Sequence, residues 1–124
     1  MDECLFCTIA SKRIVAESEL AFAILDAFPV TELHSLVIPR RHVEDYFDLD
    51  EAELASCNSL LRRMREDAIK RDSAISGFNV GVNVGCAAGQ TIFHCHIHLI
   101  PRRDGDVEQP RGGVRHVIPG RGVY

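Results

Sequence analysis

The sequence predicts an α+β fold, an antiparallel sheet of about five strands with one main helix. Two observations lead there. Between Asp50 and Asp72 the apolar residues recur at helical spacing, whereas the other apolar segments are short runs, β-branched or alternating, ended by proline, glycine or charged residues. The chain has 124 residues, 46% of them hydrophobic, enough to bury a core without disulfides. No internal repeat and no linker marks a second domain. Residues 1–103 read as one domain, and residues 104–124 as a polar, Gly/Pro/Arg-rich tail without a core of its own.

Taken in order, Ile14–Glu17 and Ala21–Asp26 read as a hairpin ended by the breaker Pro29. Ser35–Pro39 is a buried strand that stops at proline; His34 enters it and His42 follows it. Leu54, Cys57, Leu61, Met64 and Ala68 line one face of the helix, while Arg62, Arg63, Glu66 and Lys70 point elsewhere and read as a solvated face. Asp50 and Glu53 form a capping-box pattern, and Glu51 and Glu53 suit the positive end of the helix dipole. The alternation from Phe78 to Val84 predicts a half-buried strand. The small-residue loop Gly85–Gly89 then leads into a last strand, Gln90–Arg102. Period-2 geometry puts His94, His96, His98 and Ile100 on one face of it and Cys95, Ile97 and Leu99 on the other.

Charge and cysteine usage exclude several classes. The formal charge is -4, and an acidic balance without a lysine-rich tract argues against a nucleic-acid coat or an anionic-membrane binder. The charge is divided: 9 basic against 15 acidic side chains in residues 1–99, and 5 arginines against 3 acids in residues 100–124. Arg102, Arg103, Arg111 and Arg115 are therefore expected to meet substrate phosphates or a partner subunit, with plain solubility the equal alternative. No apolar run reaches the length of a membrane span, and Met1-Asp2-Glu3-Cys4 lacks the basic start of a secretory signal, which predicts a cytoplasmic protein. Thiols stay reduced there, so Cys57, Cys86 and Cys95 read as small buried or semi-buried side chains. Only Cys4 and Cys7 have a spacing that suggests chemistry.

Three of the six histidines fall within five positions. On one strand face their backbones would lie about 6.5–7 Å apart. Clustered imidazoles depress one another's pKa, which keeps them neutral, the state needed for a metal ligand or a nucleophile. The triplet can bind zinc for hydrolysis, or one histidine can attack phosphorus while its neighbours orient it and donate to developing charge. The loop Gly85–Gly89, followed by Gln90 and Thr91, favours the second, because its donors converge where a phosphate would sit.

Gln90-Thr-Ile-Phe-His94-Cys-His96-Ile-His98-Leu-Ile100 resembles the motif of the histidine triad family, His-φ-His-φ-His-φ-φ with φ apolar. His34-Ser-Leu-Val-Ile-Pro-Arg-Arg-His42 and Cys4-Leu-Phe-Cys7 fit the same layout, so the resemblance covers roughly residues 4–103. It implies a nucleotide hydrolase or transferase acting at the α-phosphate of nucleoside phosphate anhydrides, esters or phosphoramidates, akin to dinucleoside polyphosphate hydrolases. On the matching positions, His96 would be the nucleophile that forms a nucleotidyl-histidine intermediate. His98 would contact the scissile oxygens, with His34 and His94 as the supporting shell. Asn83, Gly89, Gln90 and Thr91 would bind phosphate, Asp26 the ribose hydroxyls, and Phe6, Ile24 and Phe28 would line the base pocket. Ile100 departs from the branch that carries a further polar residue or histidine there, and the tail resembles a bacterial branch whose substrates are commonly inferred.

The resemblance also implies a structural zinc site from Cys4, Cys7, His42 and His94, closed and tetrahedral. This competes with the supporting-shell role of His94. It further implies a homodimer whose sheets join. Two alternatives carry a different function: a non-catalytic nucleotide-binding module on the same fold, and a zinc hydrolase using the histidine triplet as ligands.

Overall fold

The computed structural model describes residues 4–124; Met1, Asp2 and Glu3, on which the reading of the N-terminus above partly falls, lie outside the described residues. Five strands form one antiparallel sheet: β1 (Ile14–Glu17), β2 (Ala21–Leu25), β3 (Ser35–Pro39), β4 (Ile75–Gly81) and β5 (Ile97–Arg103), in spatial order β1-β2-β3-β5-β4. The single long helix among the described residues, α1 (Glu51–Arg71), lies between β3 and β4 in sequence. No helix is long and apolar enough to cross a membrane among the described residues.

α1 begins as its sequence dictates. Asp50 accepts from the Glu53 amide at 2.8 Å and Glu53 Oε1 accepts from the Asp50 amide at 3.0 Å, so two end donors are satisfied reciprocally. Glu53 is buried and also takes a forked pair of hydrogen bonds from Arg41, at 2.7 and 3.0 Å, which holds its carboxyl below the ordinary range. The buried stripe is Cys57, Leu60, Met64 and Ala68, so Leu60 sits at its centre and the expected Leu61 lies half-buried on its flank. That stripe packs on Ala16, Ala21, Ala23, Val37, Ile97 and Leu99 of the sheet.

The opposite sheet face is covered as well. Phe22, Ile24, Leu36 and Ile38 pack with Phe6 from the N-terminal segment, which is why every residue of β3 is buried and β3 reads as a continuous apolar run. Ile97 and Leu99 face α1, so His98 between them faces the Phe6 side, in register with Leu36 of β3 and Gly81 of β4.

Three expectations require correction. β4 spans Ile75–Gly81 rather than Phe78–Val84, because its partner β5 begins at Ile97 and the ladder ends at the Gly81–His98 pair; Val82–Val84 have nothing to pair with. The last strand does not begin at Gln90: residues 90–96 are irregular, and the Cys95 amide donates to the Val43 carbonyl at 2.7 Å instead of to a strand. His94 therefore leaves the face that His98 occupies. Cys57 and Cys95 are buried, but Cys86 is exposed on the turn Cys86–Ala88.

After β5 the chain folds back to a 3-10 turn, Gly113–Val117, that packs against β4. Gly112 stands at φ 97°, and a methyl group there would run into the Gly122 carbonyl, so this reversal requires glycine.

Candidate active site

Each catalytic candidate has its tautomer set by a neighbour. The Val30 amide donates to Nδ1 of His34 at 3.1 Å, which places that ring's proton on Nε2. His34 Nε2 lies 2.9 Å from Nδ1 of His98 and donates to it, so His98 carries its own proton on Nε2. Asp26 Oδ2 stands 3.5 Å from His34 Nε2 and favours this arrangement electrostatically. His34 is aimed by a reversal at Leu33, whose left-handed φ of 71° is strained for a leucine, and the Thr31 hydroxyl ties the same turn to the Pro101 carbonyl at 2.8 Å.

His96 has the opposite tautomer. Its Nδ1–H donates to the His94 carbonyl at 2.8 Å, leaving a lone pair on Nε2. The rings of His96 and His98 stand 5.3 Å apart, and the edge of Phe6 packs against His96 at 5.0 Å. One imidazole offering a lone pair beside another offering an N–H is an arrangement that can attack an electrophilic centre and donate to its oxygens. Burial, reinforced by His96 and His34, pushes His98 down to about 4; burial lowers His34 too, against the pull of Asp26. Both stay neutral at pH 7.

His96 and His98 line a cavity of about 230 Å3 with Phe6, Ile24, Asp26, Phe28, Asn83, Gly89 and Thr91. Arg13 lines it as well, with Nη2 donating to the Leu25 carbonyl at 3.1 Å. Nothing in its sequence surroundings marks Arg13, since a lone arginine before a strand is an ordinary surface residue. A second cavity, of about 820 Å3, is bounded by His34, His98, Asn83, β4 and the C-terminal segment.

Gln90 does not reach either cavity. It is buried, its oxygen accepts from the Gly85 amide at 2.9 Å, and its nitrogen donates to the Glu44 and Ile92 carbonyls at 3.0 and 3.2 Å. Its amide is spent on holding the Gly85–Gly89 loop in place. The C-terminal arginines are also committed within the chain. Arg102 forks onto Asp106 and donates to Asn79, Arg103 pairs with Asp72 at 2.9 Å, and Arg111 and Arg115 lie over the Tyr124 ring. Of these, Arg102 alone borders a cavity described above, the larger one.

His94 belongs to a different cluster. Its ring is fully buried outside the cavity lining, with Nε2–H donating to the Pro39 carbonyl at 2.7 Å. Nδ1 is thereby left with its lone pair, 3.4 Å from Cys4 Sγ and 3.5 Å from Cys7 Sγ, while His42 Nδ1 lies 3.2 Å from Cys7 Sγ. Burial, with His42 and His96 nearby, keeps His94 below its ordinary pKa and unprotonated. Four donor atoms within 4.8 Å of one another can hold a metal ion. Two thiols and two imidazoles are the donor set of a closed four-coordinate site.

Asp26, His34 and His98 also converge, but His34 Nε2 could ligate a metal only by moving its proton to Nδ1, against the Val30 amide. Their arrangement is a hydrogen-bond chain. His94, His96 and His98 do not converge as a ligand set among the described residues.

A five-stranded antiparallel sheet backed by one helix, with paired histidines at a pocket of its central strands, defines the class, and comparison with known proteins gives the family. The HIT domain model matches residues 8–105. The chain is 39% identical over 97 residues to AP-4-A phosphorylase of Mycobacterium tuberculosis, covering 75% of this chain and 48% of that protein. It is 35% identical over 109 residues to adenylylsulfatase HINT3 of Arabidopsis thaliana, covering 85% and 55%. It is similar in structure to a zinc-bound histidine triad family protein of Mycobacterium smegmatis, with TM-score 0.74, 37% identity and coverage of 83% and 77%. The chain belongs to the HIT domain family, whose members include enzymes.

Proposed function

We propose that the protein is a nucleotide hydrolase acting at the α-phosphate of nucleoside phosphate anhydrides or esters through a nucleotidyl-His96 intermediate. The observation that carries this is the pair of opposed tautomers, His96 with Nε2 free and His98 with Nε2 protonated, on one cavity. In the first step the Nε2 lone pair of His96 forms a bond to the α-phosphorus. The bond from phosphorus to the leaving oxygen breaks, its electron pair departs with that oxygen, and the N–H of His98 donates to the developing charge. In the second step water attacks the same phosphorus and gives up a proton to solvent, the P–N bond returns its electron pair to Nε2, and the nucleoside monophosphate is released. Splitting one displacement into two lets a neutral imidazole do what a water molecule does slowly.

The smaller cavity takes the nucleoside: Phe6, Ile24 and the exposed Phe28 offer apolar surface to the base, and the carboxylate of Asp26 a partner for ribose hydroxyls. Asn83, Gly89 and Thr91 line the same cavity and would meet the phosphate. The relatives' names, AP-4-A phosphorylase and adenylylsulfatase, supply two substrates to try, diadenosine tetraphosphate and adenylyl sulfate; both join an adenylyl group to a leaving oxygen.

Cys4, Cys7, His42 and His94 would hold a structural zinc ion. When bound, the ion cross-links the N-terminal segment, which carries Phe6, to the residues leading into β5. The reading is tested by turnover of both substrates with His96→Ala: loss of hydrolysis with retained nucleotide binding is expected, and a fully active variant overturns it. A wild type that binds nucleotide but turns over neither substrate favours the non-catalytic module.

A further inference from the structure

Cys4 and Cys7 stand on one tight turn, in which the Cys7 amide donates to the Cys4 carbonyl at 3.2 Å. A turn of this kind holds its first and fourth Cα atoms within about 7 Å. A disulfide spans about 4.4–6.8 Å between Cα atoms, so the two sulfurs can join with little movement of the backbone. Both sulfurs lie against the His94 ring, at 3.4 and 3.5 Å from Nδ1, and Cys7 is exposed. Of the other cysteines, Cys57 and Cys95 are buried, and Cys86 stands exposed on the separate turn Cys86–Ala88.

The same turn carries Phe6, whose ring is 4% exposed and packs edge-on against His94 at 6.1 Å and His96 at 5.0 Å. His94 faces both ways: its side chain meets the sulfurs, and its backbone carbonyl accepts the Nδ1–H of His96. The thiol pair and the nucleophile are therefore linked twice, through Phe6 and through His94. Ligation of one ion by Cys4, Cys7, His42 and His94 would fix both links at once.

We propose that Cys4 and Cys7 are a reversible oxidation site, at which a peroxide converts the two thiolates to a disulfide, dismantles the metal site and loosens Phe6 from His96. The chemistry rests on the zinc reading above, and its consequence for the site on the nucleotide-binding one. A metal-bound cysteine is a thiolate, the form that peroxides oxidise. One sulfur attacks a peroxide oxygen; the O–O bond breaks, and the other oxygen leaves with the electron pair as hydroxide. The second sulfur then attacks the sulfenic sulfur so formed, making the S–S bond as the S–O bond breaks and a second hydroxide leaves. Two protons from solvent turn both hydroxides into water. The sulfurs have lost two electrons to the peroxide, and the neutral disulfide no longer holds a cation. His42 and His94 are then two ligands where a closed zinc site needs four. A dithiol reductant reverses the change by exchange.

The experiment treats zinc-loaded protein carrying Cys86→Ser, which removes the other exposed thiol, with hydrogen peroxide. It follows zinc release, the mass of the unreduced peptide containing Cys4 and Cys7, the Kd for AMP and the circular dichroism. Expected are one zinc released per disulfide, a peptide lighter by two hydrogens, a Kd raised about tenfold through loss of the Phe6 contact, and recovery with dithiothreitol and zinc. Zinc held while both thiols stay free overturns the oxidation site. A disulfide that leaves the Kd for AMP unchanged overturns the link to Phe6, and so does collapse of the circular dichroism, which would make the cluster a support of the whole fold. Protein that never takes up zinc overturns the zinc reading and this proposal with it. A missing adenylyl-His96 adduct overturns the catalytic reading alone, because AMP binding needs no turnover.

Discussion

Nε2 of His34 donates to Nδ1 of His98 across 2.9 Å, and the Val30 amide fixes the direction of that bond from the far side of His34. A backbone amide in the turn before β3 therefore decides which nitrogen of a β5 side chain carries a proton. In the proposed reaction His34 acts through His98 as a positioning residue. His34→Ala frees His98 to take either tautomer, and kcat is expected to fall by about 100-fold, with KM little changed. His34→Gln, whose amide N–H can still donate to Nδ1, should recover part of the loss; equal loss in both variants would make His34 merely structural.

Stability should depend on pH through His98. Its pKa is about 4 in the fold against 6.5 in the unfolded chain, so above 6.5 both states are neutral and the difference vanishes. As pH falls from 6.5 towards 4 the unfolded chain binds a proton that the folded one refuses, and the fold loses stability. The lowered pKa of His34 acts in the same sense. Denaturant unfolding at several pH values should show a steeper decline over that window in the wild type than in His98→Asn. Identical slopes would contradict the buried neutral His98.

The Cys4–Cys7–His42–His94 cluster predicts a metal-dependent N-terminal segment. Cys7→Ser is expected to lower zinc stoichiometry from one towards zero and to remove about 3 kcal/mol of stability at free zinc of about 100 times Kd, with chelation of the wild type giving the same loss. Zinc content unaffected by the substitution would rule the site out.

Gln90 separates loop support from phosphate contact. Gln90→Leu leaves the Gly85 amide and the Glu44 and Ile92 carbonyls without their partner and should cost about 2–4 kcal/mol of stability. A variant with wild-type stability and weakened nucleotide binding would return Gln90 to the phosphate-binding role suggested by its place in the motif.

How far the sequence could be read depends on where periodicity is enforced. The Asp50–Glu53 box and the i, i+4 stripe of α1 are local, and β1 to β3 are paired along their length, so their patterns survive in the fold. Strict alternation over His94, His96 and His98 suggested one face, but pairing starts only at Ile97, and the Val43 and Pro39 carbonyls draw the preceding residues aside. The same late start cut β4 short at Gly81. Charge counting located the C-terminal arginines, yet Arg102, Arg103, Arg111 and Arg115 each find an anion, a carbonyl or a ring within the chain, while Arg13 reaches the cavity through a turn no composition reveals. The tautomers were beyond reach as well, because Val30 and the carbonyls of His94 and Pro39 act through backbone atoms that every sequence has.

In the proposed reaction Nε2 of His96 forms a covalent bond to the α-phosphorus. Rapid acid-free quenching of the wild type with diadenosine tetraphosphate, followed by peptide mass spectrometry, tests it most directly. An adenylyl group is expected on the peptide containing His96, absent in His96→Ala and accumulating when water attack is slowed. Turnover at the wild-type rate in His96→Ala, or an adenylyl group on another residue in the wild type, would contradict it.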